Sequence, residues 1–465
     1  MMAVVADNGP SVQRRRMRVV HCVGFYFPES TGGTEVYVRD LTKALLSHAV
    51  DGAIIAATNG AADRYQWQGF DVIRYRPDAI NALADSAGGR HPGITAFQEI
   101  LSETKPDLFH LHSWTTGAGL DHLRQATELG IPSVVTVHVP AALCMRGTML
   151  LDGTWPCDGR IDDKRCARCF ALHRGLPRPA AWLVSRFPKW DLHGGEISRI
   201  LPRASALLSI RASAGHKARK LHAMAALSKR IVAPSQWVRA ALAANAIPLH
   251  KIVVSAQAAS ETFSWRAASR QKRDDGREVV IGFLGRLVVE KGPDLIIRAM
   301  AHVSKNLPVR LRLAGAGGEP TYERRIRRLA ARDPRIELVG LVEHEQVSRF
   351  LESIDVLAVP SRYMETGPLV VQEAQALGIP VMGANLGGIA ERVRDGVDGW
   401  LLPLDDARAW AEAIEEAVND RDKLARLSQN MHRNRTVDDV ASEMASLYRN
   451  VLAESAVSGG ERPSA

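Results

Sequence analysis

The chain has 465 residues, of which 46% are hydrophobic and 24% charged, so it is long enough for two or three globular domains with a large core. No apolar run approaches the roughly 18 residues that cross a bilayer, and no run of the signal-peptide type follows the polar N-terminus. Five cysteines in a chain of this length do not resemble an extracellular disulfide framework, which predicts a cytoplasmic protein.

Short β-rich runs alternate with helical segments through the first half of the chain. The predicted strands are residues 18–23, 53–58, 71–75, 107–112, 133–138, 230–233 and 251–255. Strand–helix alternation of this kind indicates a parallel, doubly wound sheet.

Two features stand at the ends of predicted strands. Gly32 and Gly33 precede a helix at residues 36–48, and because glycine has no Cβ, their backbone can approach a ligand while amides at the helix start face an anion. An ordinary turn is the alternative interpretation. His138 ends the fifth strand at the carboxyl edge of the sheet, where a cleft is expected, and it either contacts a ligand or is a buried structural histidine.

Residues 140–175 interrupt the alternation and contain four of the five cysteines. These are Cys144, Cys157, Cys166 and Cys169, all within 26 residues. Four soft ligands at such spacing suit a structural zinc ion, which would tie down a loop with little apolar content. The gaps of 12 and 8 residues differ from those of a standard zinc finger. Reduced free thiols are the alternative, followed by disulfides or an iron–sulfur cluster.

The net charge of +9 is concentrated in one segment. Residues 178–230 contain eleven Lys or Arg against two acidic residues, a local surplus of +9 that leaves the rest of the chain nearly neutral. Trp182, Phe187 and Trp190 are interleaved with these charges, so a peripheral contact with anionic membrane is one interpretation and a solvated helical face is the other. No nucleic-acid-binding module is visible, so nucleic acid is not an expected partner.

The composition changes near residue 263. Residues 263–277 are polar and charged and are predicted to link a first domain, residues 17–262, to a second, residues 278–435. Residues 1–16 and 455–465 are small and polar and are predicted to be disordered tails.

The second domain opens with another strand, loop and helix. The loop after the strand at 279–284 carries Arg286 and Lys291. The planar guanidinium of Arg286 suits bidentate contact with phosphate and Lys291 supplies a point charge, so together they can neutralise a diphosphate at a helix N-terminus. Ordinary solvated basic residues are the alternative interpretation.

Residues 354–373 form a predicted buried strand, a polar loop and the opening of a helix. Glu365 lies in the loop and Glu373 in the helix, whose first amides near Gly367 favour phosphate. Two carboxylates beside an anion site suit the hydroxyl-rich ends of a nucleotide sugar, because a carboxylate accepts hydrogen bonds from neighbouring hydroxyl groups.

These residues form one pattern. Glu365 and Glu373 are separated by seven residues and followed by Gly387-Gly388, while Gly-Arg-Leu-x3-Lys-Gly begins eighty residues before Glu365. The pattern resembles the Glu-x7-Glu signature of the family 4 retaining glycosyltransferases. The resemblance covers nearly all of residues 17–453 and implies the α/β GT-B fold, in which two Rossmann-like doubly wound domains face an interdomain cleft.

The resemblance also implies roles for individual residues. Arg286 and Lys291 would stabilise the donor diphosphate. Glu365 would hold the sugar hydroxyls or support the leaving phosphate, and Glu373 would bind the ribose. His138 would contact the sugar from the first domain. Further donor-binding positions are Gly32, Gly33, Gly367, Leu369, Gly387 and Gly388.

The implied reaction moves a sugar from a nucleoside diphosphate sugar to an acceptor hydroxyl with retained anomeric configuration, in polysaccharide, glycolipid or glycoside biosynthesis. The only Asp-x-Asp triplet, residues 420–422, lies in a charged run between helices, so catalysis is expected to need neither a metal nor another cofactor. A GT-B nucleotide-sugar epimerase or phosphorylase is the alternative enzyme. A catalytically silent scaffold is the alternative of another class.

Two positions depart from the family pattern. Gln257-Ala258-Ala259-Ser260 stands where an Asn-Gly-Val-Asp segment usually passes between the domains. Pro368, which has no amide hydrogen, stands where many relatives carry a phosphate donor. The fold also implies that a terminal helix at residues 436–454 returns to the first domain.

Overall fold

A computed structural model of the chain describes residues 15–77, 94–115, 117–192, 199–263 and 277–460. Within these ranges the chain forms two parallel α/β units. Of the predicted tails (1–16 and 455–465) and linker (263–277), residues 1–14, 461–465 and 264–276 lie outside the described residues.

The first unit contains ten strands in the described part of the chain. They are β1 (Met17–Val23), β2 (Val50–Ala57), β3 (Asp63–Trp67), β4 (Phe70–Tyr75), β5 (Leu108–Leu111), β6 (Ser133–Thr136), β7 (Leu150–Leu151), β8 (Trp155–Pro156), β9 (Arg230–Ala233) and β10 (Ile252–Val254). Its helices are α1 (Gly33–Leu45), α2 (Ile94–Thr104), α3 (Leu120–Glu128), α4 (Asp163–His173), α5 (Arg178–Val184), α6 (Pro202–Leu208), α7 (Ile210–Leu227) and α8 (Gln236–Ala244).

Eight of these strands form one sheet in the order β10-β9-β6-β5-β1-β2-β4-β3. The central strands β5 and β6 are buried along their whole length, as expected for parallel strands with helices on both faces. Strand β3, which the sequence analysis missed, pairs antiparallel with β4 at the sheet edge. Its residues are largely exposed and polar, so it lacks the apolar run that revealed the other strands.

The second unit contains six strands and, counting the last helix of the chain, eight α-helices in the described residues. The strands are β11 (Val279–Leu284), β12 (Val309–Ala314), β13 (Ile336–Gly340), β14 (Val356–Val359), β15 (Val381–Ala384) and β16 (Gly399–Leu402). The helices are α9 (Pro293–His302), α10 (Pro320–Ala330), α11 (Val347–Glu352), α12 (Leu369–Ala376), α13 (Gly387–Ala390), α14 (Ala407–Asn419), α15 (Arg421–Gln429) and α16 (Val437–Gly460).

The six strands form a parallel sheet in the order β13-β12-β11-β14-β15-β16. The chain runs outward from β11 to β13 and then resumes at β14 on the other side of β11, so the strand order reverses between β11 and β14. In the first sheet the reversal falls between β1 and β5. Open α/β sheets bind ligands beyond the carboxyl ends of strands at such reversal points.

Helix α16 packs on the first unit, where Tyr448 is fully buried beside α1 and the sheet. The Tyr448 hydroxyl lies 2.6 Å from Nδ1 of His110 on β5. The helix runs to Gly460, so residues 455–460 are helical rather than part of the predicted disordered tail, and no helix-breaking residue occurs before the glycines at 459 and 460. In the part of the chain that the structure describes, no helix is both long and apolar enough to cross a bilayer.

Replacing Tyr448 with alanine should lower the free energy of unfolding by about 3–5 kcal/mol, because a fully buried aromatic side chain leaves a cavity. Tyr448→Phe keeps the ring and removes only the partner of His110, so its cost should be about 1–3 kcal/mol. Urea denaturation of the parent and both variants measures these differences. Equal midpoints for the parent and Tyr448→Ala would show that α16 is not a structural part of the first unit.

Candidate active site

The loops at the two reversal points meet in one cleft. In the first unit these are the loop between β1 and α1, which contains Gly32 and Gly33, and the loops after β5 and β6. In the second unit they are the loop after β11 and the loop between β14 and α12. A Cβ placed on Gly33 would lie 3.8 Å from the Leu369 side chain at the start of α12, which shows that the glycine turn faces that helix.

The centre of the cleft is an ion pair between Lys291 and Glu365. Lys291 follows β11 and Glu365 follows β14, and the two strands are hydrogen-bonded neighbours in the sheet. Nζ of Lys291 lies 2.7 Å from Oε1 of Glu365. Ser361 donates to the same oxygen at 2.7 Å, and Tyr363 donates to Oε2 at 2.6 Å. The carboxylate is 5% exposed and has three fixed partners, so its position is set before any ligand arrives.

Burial favours the uncharged form of both Lys291 and Glu365. The attraction between the two charges outweighs this effect of burial. Burial alone would raise the pKa of Glu365, but the Lys291 charge and the hydrogen bonds from Lys291, Tyr363 and Ser361 hold it below its ordinary value. Burial alone would lower the pKa of Lys291, but Glu365 and Tyr363 hold it above its ordinary value. Both groups are therefore charged at neutral pH.

Gly387 and Gly388 support the Glu365 loop from behind. A Cβ on Gly387 would lie 2.8 Å from the Cα of Met364, and one on Gly388 would lie 2.7 Å from the carbonyl oxygen of Glu365. The Gly388 amide donates to that carbonyl at 2.7 Å. Gly387 and Gly388 were predicted to bind the donor. Their close contacts in the structure are with the backbone of the Glu365 loop.

Glu373 lies in α12 and is 7% exposed. Burial, together with the nearby carboxylate of Asp40, raises its pKa to about 7, while the Arg39 guanidinium acts in the opposite direction. Arg39 and Asp40 belong to α1, so this second carboxylate is tuned by the first unit. Its charge changes within the physiological pH range.

Arg286 is exposed in the loop after β11 and lies near enough to Glu35 of α1 to act on it electrostatically. Burial raises the pKa of Glu35, which follows Gly33, and the positive charge of Arg286 is among the influences that lower it. The two predicted phosphate-binding residues therefore stand in different settings, with Lys291 paired and Arg286 open to solvent. Gly367, before α12, lies against the side chain of Gln257.

His138 is buried beyond β6 and both of its ring nitrogens have partners. The Gln257 amide nitrogen lies 2.9 Å from Nδ1, and Nδ1 of His112 lies 3.2 Å from Nε2. The His138 carbonyl accepts a hydrogen bond from the Thr366 hydroxyl at 2.6 Å. A ligand that used Nδ1 would first have to displace Gln257.

These contacts fix the proton positions along a chain of histidines. An amide NH2 group only donates, so Nδ1 of His138 accepts and its Nε2 carries the proton. Nε2 of His138 therefore donates to Nδ1 of His112. Because Nδ1 of His112 accepts, its Nε2 carries a proton and donates to Nδ1 of His21, 2.9 Å away. Burial lowers the pKa of His138 and of His21 to about 3, so both rings are neutral. The side chain of Gln257 thus sets the tautomer of His138.

The predicted zinc ligands are near one another, since Cys144 acts electrostatically on Cys157, Cys166 and Cys169, but they do not form a compact cluster. Among the described residues, no three cysteine sulfur atoms lie within 4.8 Å of one another, whereas zinc holds its sulfur ligands about 4 Å apart. The thiol of Cys169 instead accepts a hydrogen bond from the Asp152 amide at 3.2 Å, and burial raises the pKa of Cys166 to about 11. As placed, these residues do not fit zinc, so the arrangement favours reduced thiols and the zinc site stays a prediction.

A histidine group offers another geometry for a metal. His21, His110 and His112 are the group of three in the described residues whose ligand atoms lie within 4.8 Å of one another. Tyr448 and Thr136 already occupy the two ring nitrogens of His110, at 2.6 and 2.8 Å. The contacts therefore describe a hydrogen-bonded network.

Sequence reasoning missed four residues of this site. They are Ser361 and Tyr363, which hold Glu365; Gln257, which holds His138; and Trp237, whose indole donates to the Glu365 carbonyl at 2.8 Å. Ser361 and Tyr363 stand within four residues of Glu365 in the same loop, and that proximity was the available signal. Gln257 stands in the segment that departs from the family pattern, which was a signal without a role, and Trp237 gave none.

Two family models match the chain. The one described as Glycosyltransferase Family 4 matches residues 31–190, and the one described as Glycosyl transferases group 1 matches residues 266–434. Among solved structures, sucrose-phosphate synthase from Thermosynechococcus elongatus is 18% identical, with a TM-score of 0.65 over 94% of this chain and 100% of that one. Anabaena HepE in complex with UDP and glucose is 16% identical, with a TM-score of 0.59 over 96% and 100%.

Curated relatives match over shorter segments. The D-inositol 3-phosphate glycosyltransferase of Xylanimonas cellulosilytica is 35% identical over 176 residues, which are 36% of this chain and 42% of that protein. The Corynebacterium glutamicum (strain R) protein of the same name is 33% identical over 217 residues, 42% of this chain and 49% of that protein. The matched segments thus span less than half the length of these relatives.

The fold is GT-B, with two Rossmann-like domains and a cleft between them, as the sequence analysis predicted. The two family models together match most of the chain, and the chain belongs to the family 4 glycosyltransferases.

Replacing Gln257 with glutamate should reverse the histidine chain. A carboxylate only accepts, so at pH 8 Nδ1 of His138 must carry the proton. Nε2 of His138 then accepts from His112, whose proton moves to Nδ1. Nitrogen-15 NMR of histidine-labelled protein should show the Nε2-protonated form of His138 in the parent and the Nδ1-protonated form in Gln257→Glu. Gln257→Met, which has similar size and imposes no direction, is the control. The same tautomer in the parent and Gln257→Glu would contradict the assignment.

Proposed function

We propose that the protein transfers a glycosyl group from a nucleoside diphosphate sugar to an acceptor hydroxyl with retention of the anomeric configuration. The Lys291–Glu365 pair, fixed at the strand-order reversal of the second domain, is the observation that carries this proposal. A cation beside a held carboxylate matches a ligand that has a diphosphate at one end of its reactive bond and sugar hydroxyls at the other.

As the bond from the sugar to the diphosphate breaks, negative charge grows on the phosphate and positive charge on the anomeric carbon. In the proposed mechanism Lys291 and Arg286 stabilise the phosphate, and Lys291, which Glu365 already holds in place, needs little reorganisation. Lys291 would exchange part of its contact with Glu365 for the phosphate, while Ser361 and Tyr363 keep the carboxylate in position for sugar hydroxyls.

Glu373 would accept hydrogen bonds from the ribose, and His138 would approach the sugar from the first domain. The glycine turn would let the backbone come close to the donor. In the proposed mechanism the departing phosphate takes the acceptor proton, so the protein supplies no dedicated base. Pro368 caps α12 without an amide hydrogen, so phosphate contacts there would rest on Gly367 and Leu369.

Metal-independent catalysis is part of the proposal. The Asp-x-Asp triplet has a structural task at its first residue, because Asp420 caps α15 by accepting a hydrogen bond from the Lys423 amide at 2.7 Å. Activity that is unchanged by EDTA would agree with this. A cytoplasmic location is also proposed, since all five cysteines are free thiols, which are typical of reducing compartments.

Arg286→Ala should lower kcat/KM for the donor by about 100-fold, because an electrostatic contact to the leaving group typically contributes at least that much. Arg286 is exposed, so folding should be unaffected. The assay is release of nucleoside diphosphate from the donor that binds best, with proton NMR of the product to read its anomeric configuration.

Arg324→Ala, an exposed arginine of α10, is the matched control and should leave the rate unchanged. Donor turnover by Arg286→Ala at the parental rate would rule out the proposed role. An inverted product would remove retention from the proposal while leaving glycosyl transfer intact.

Donor affinity should rise about tenfold between pH 6 and pH 8, because only ionised Glu373, with its pKa raised to about 7, accepts two hydrogen bonds from the ribose. Calorimetric titration across this range measures the effect, and Glu373→Gln should flatten it. The same shift means that the folded protein binds more protons than the unfolded chain between about pH 4.5 and 7, so stability should fall as pH rises through that window. A pH-independent affinity in the parent would contradict the role of Glu373.

A further inference from the structure

A second cavity lies at the carboxyl edge of the first sheet, outside the Lys291–Glu365 centre. Its volume is about 740 Å³. Trp114, which lines it, stands two residues beyond His112, and Ala141 stands three residues beyond His138. The cavity therefore opens next to the strand ends that form the first-domain side of the cleft.

The lining has two chemically distinct parts. The apolar part consists of Trp114, Met145, Phe170, Leu176, Leu207 and Ile210. The basic part consists of Arg174, Arg203, Lys217 and Lys220, together with His216. No carboxylate is among the described residues that line the cavity, although Asp191 lies beside His216.

Some of this charge is engaged locally. Nζ of Lys217 donates to the Ala141 carbonyl, which ties α7 to the loop after His138. His216 lies 3.0 Å from the Asp191 carboxylate. Lys217 and His216 therefore already have partners, and the guanidinium groups of Arg174 and Arg203 are the donors that suit a phosphate in this wall.

Exposed apolar side chains lie on α5, which packs against Leu207 and Ile210 of the cavity lining, and directly before α6. Trp182 and Leu183 on α5 are 50% and 53% exposed, and Ile200 and Leu201, directly before α6, are 75% and 58% exposed. The Arg186 guanidinium lies 3.7 Å from the centre of the Trp182 ring. Exposed aromatic and aliphatic side chains among basic residues are typical of surfaces that lie on an anionic membrane. This is the surface that the charge of residues 178–230 predicts.

We propose that this cavity binds the acceptor, and that the acceptor is an amphiphile with a phosphate or diphosphate group next to an apolar chain. The inference rests on the proposed glycosyl transfer and names its acceptor class. The basic wall matches the phosphate, and the apolar wall matches the start of the chain, whose continuation lies along Trp182, Leu183, Ile200 and Leu201. A free sugar phosphate would leave the apolar wall unused.

The test compares decyl phosphate, decyl maltoside and inorganic phosphate by calorimetric titration of the full chain. Decyl phosphate should bind roughly tenfold or more tightly than either of the others, because it alone satisfies both walls. Arg174→Glu/Arg203→Glu, which reverses two exposed charges of the lining, should lower its affinity roughly tenfold or more. Arg324→Glu, an exposed charge reversal on α10, is the control and should have no effect.

Equal binding of decyl phosphate and decyl maltoside, or full affinity in the double variant, would overturn the proposal. The comparison in the parent protein stands even if the double variant fails to fold. Sedimentation with phosphatidylglycerol vesicles distinguishes acceptor binding in the cavity from contact of the outer face with a membrane. Binding to vesicles without a preference for decyl phosphate would assign this face to membrane contact alone and would also overturn the proposal. Donor binding is measured in the same samples, so failure of the proposed transfer would appear as absent nucleotide-sugar binding.

Discussion

A buried lysine–glutamate pair sets the organisation of this protein. Removing two charges from water costs more than their attraction usually returns, so a pair of this kind is a poor source of stability. Lys291 and Glu365 nevertheless sit at the end of neighbouring strands with two hydroxyl groups arranged around the carboxylate. The parallel sheet brings them together because its strand order reverses between β11 and β14. The free-energy cost of removing Lys291 and Glu365 from water is explained if the pair serves to bind a ligand. Such a ligand would develop opposite charges at the two ends of its reactive bond.

The loop that carries Glu365 is also where the two domains touch. Its backbone accepts from Trp237, its Met364 amide donates to the Thr148 carbonyl at 3.0 Å, and Thr366 reaches His138. The loop that carries the carboxylate is therefore held by the first domain as well as by the second. The side-chain amide of Gln257 sets which ring nitrogen of each histidine in the chain carries the proton. Gln257 belongs to the segment, residues 257–260, in which the sequence departs from the family pattern.

Local patterns in the second domain were sufficient to predict the strands that become β11 and β14 and to single out Lys291 and Glu365, which meet beyond them, because each residue follows a buried strand. Sequence could not show that Ser361 and Tyr363 hold Glu365, since that depends on how one loop folds back. The partner of His138 comes from a residue more than a hundred positions away. The edge strand β3 was not predicted because its residues are largely exposed and polar, so they show no apolar run. Spacing suggested a zinc site for the four cysteines, yet no three of their sulfur atoms lie within 4.8 Å of one another.

Direct titration of the parent protein with a panel of nucleoside diphosphate sugars tests the central claim. If the Lys291–Glu365 pair is a prepared site for a diphosphate beside a sugar, at least one donor should bind saturably, and Lys291→Met should weaken that binding while the histidine chain stays intact. A protein that binds none of the panel, or a Lys291→Met variant that binds as tightly as the parent, would contradict the account.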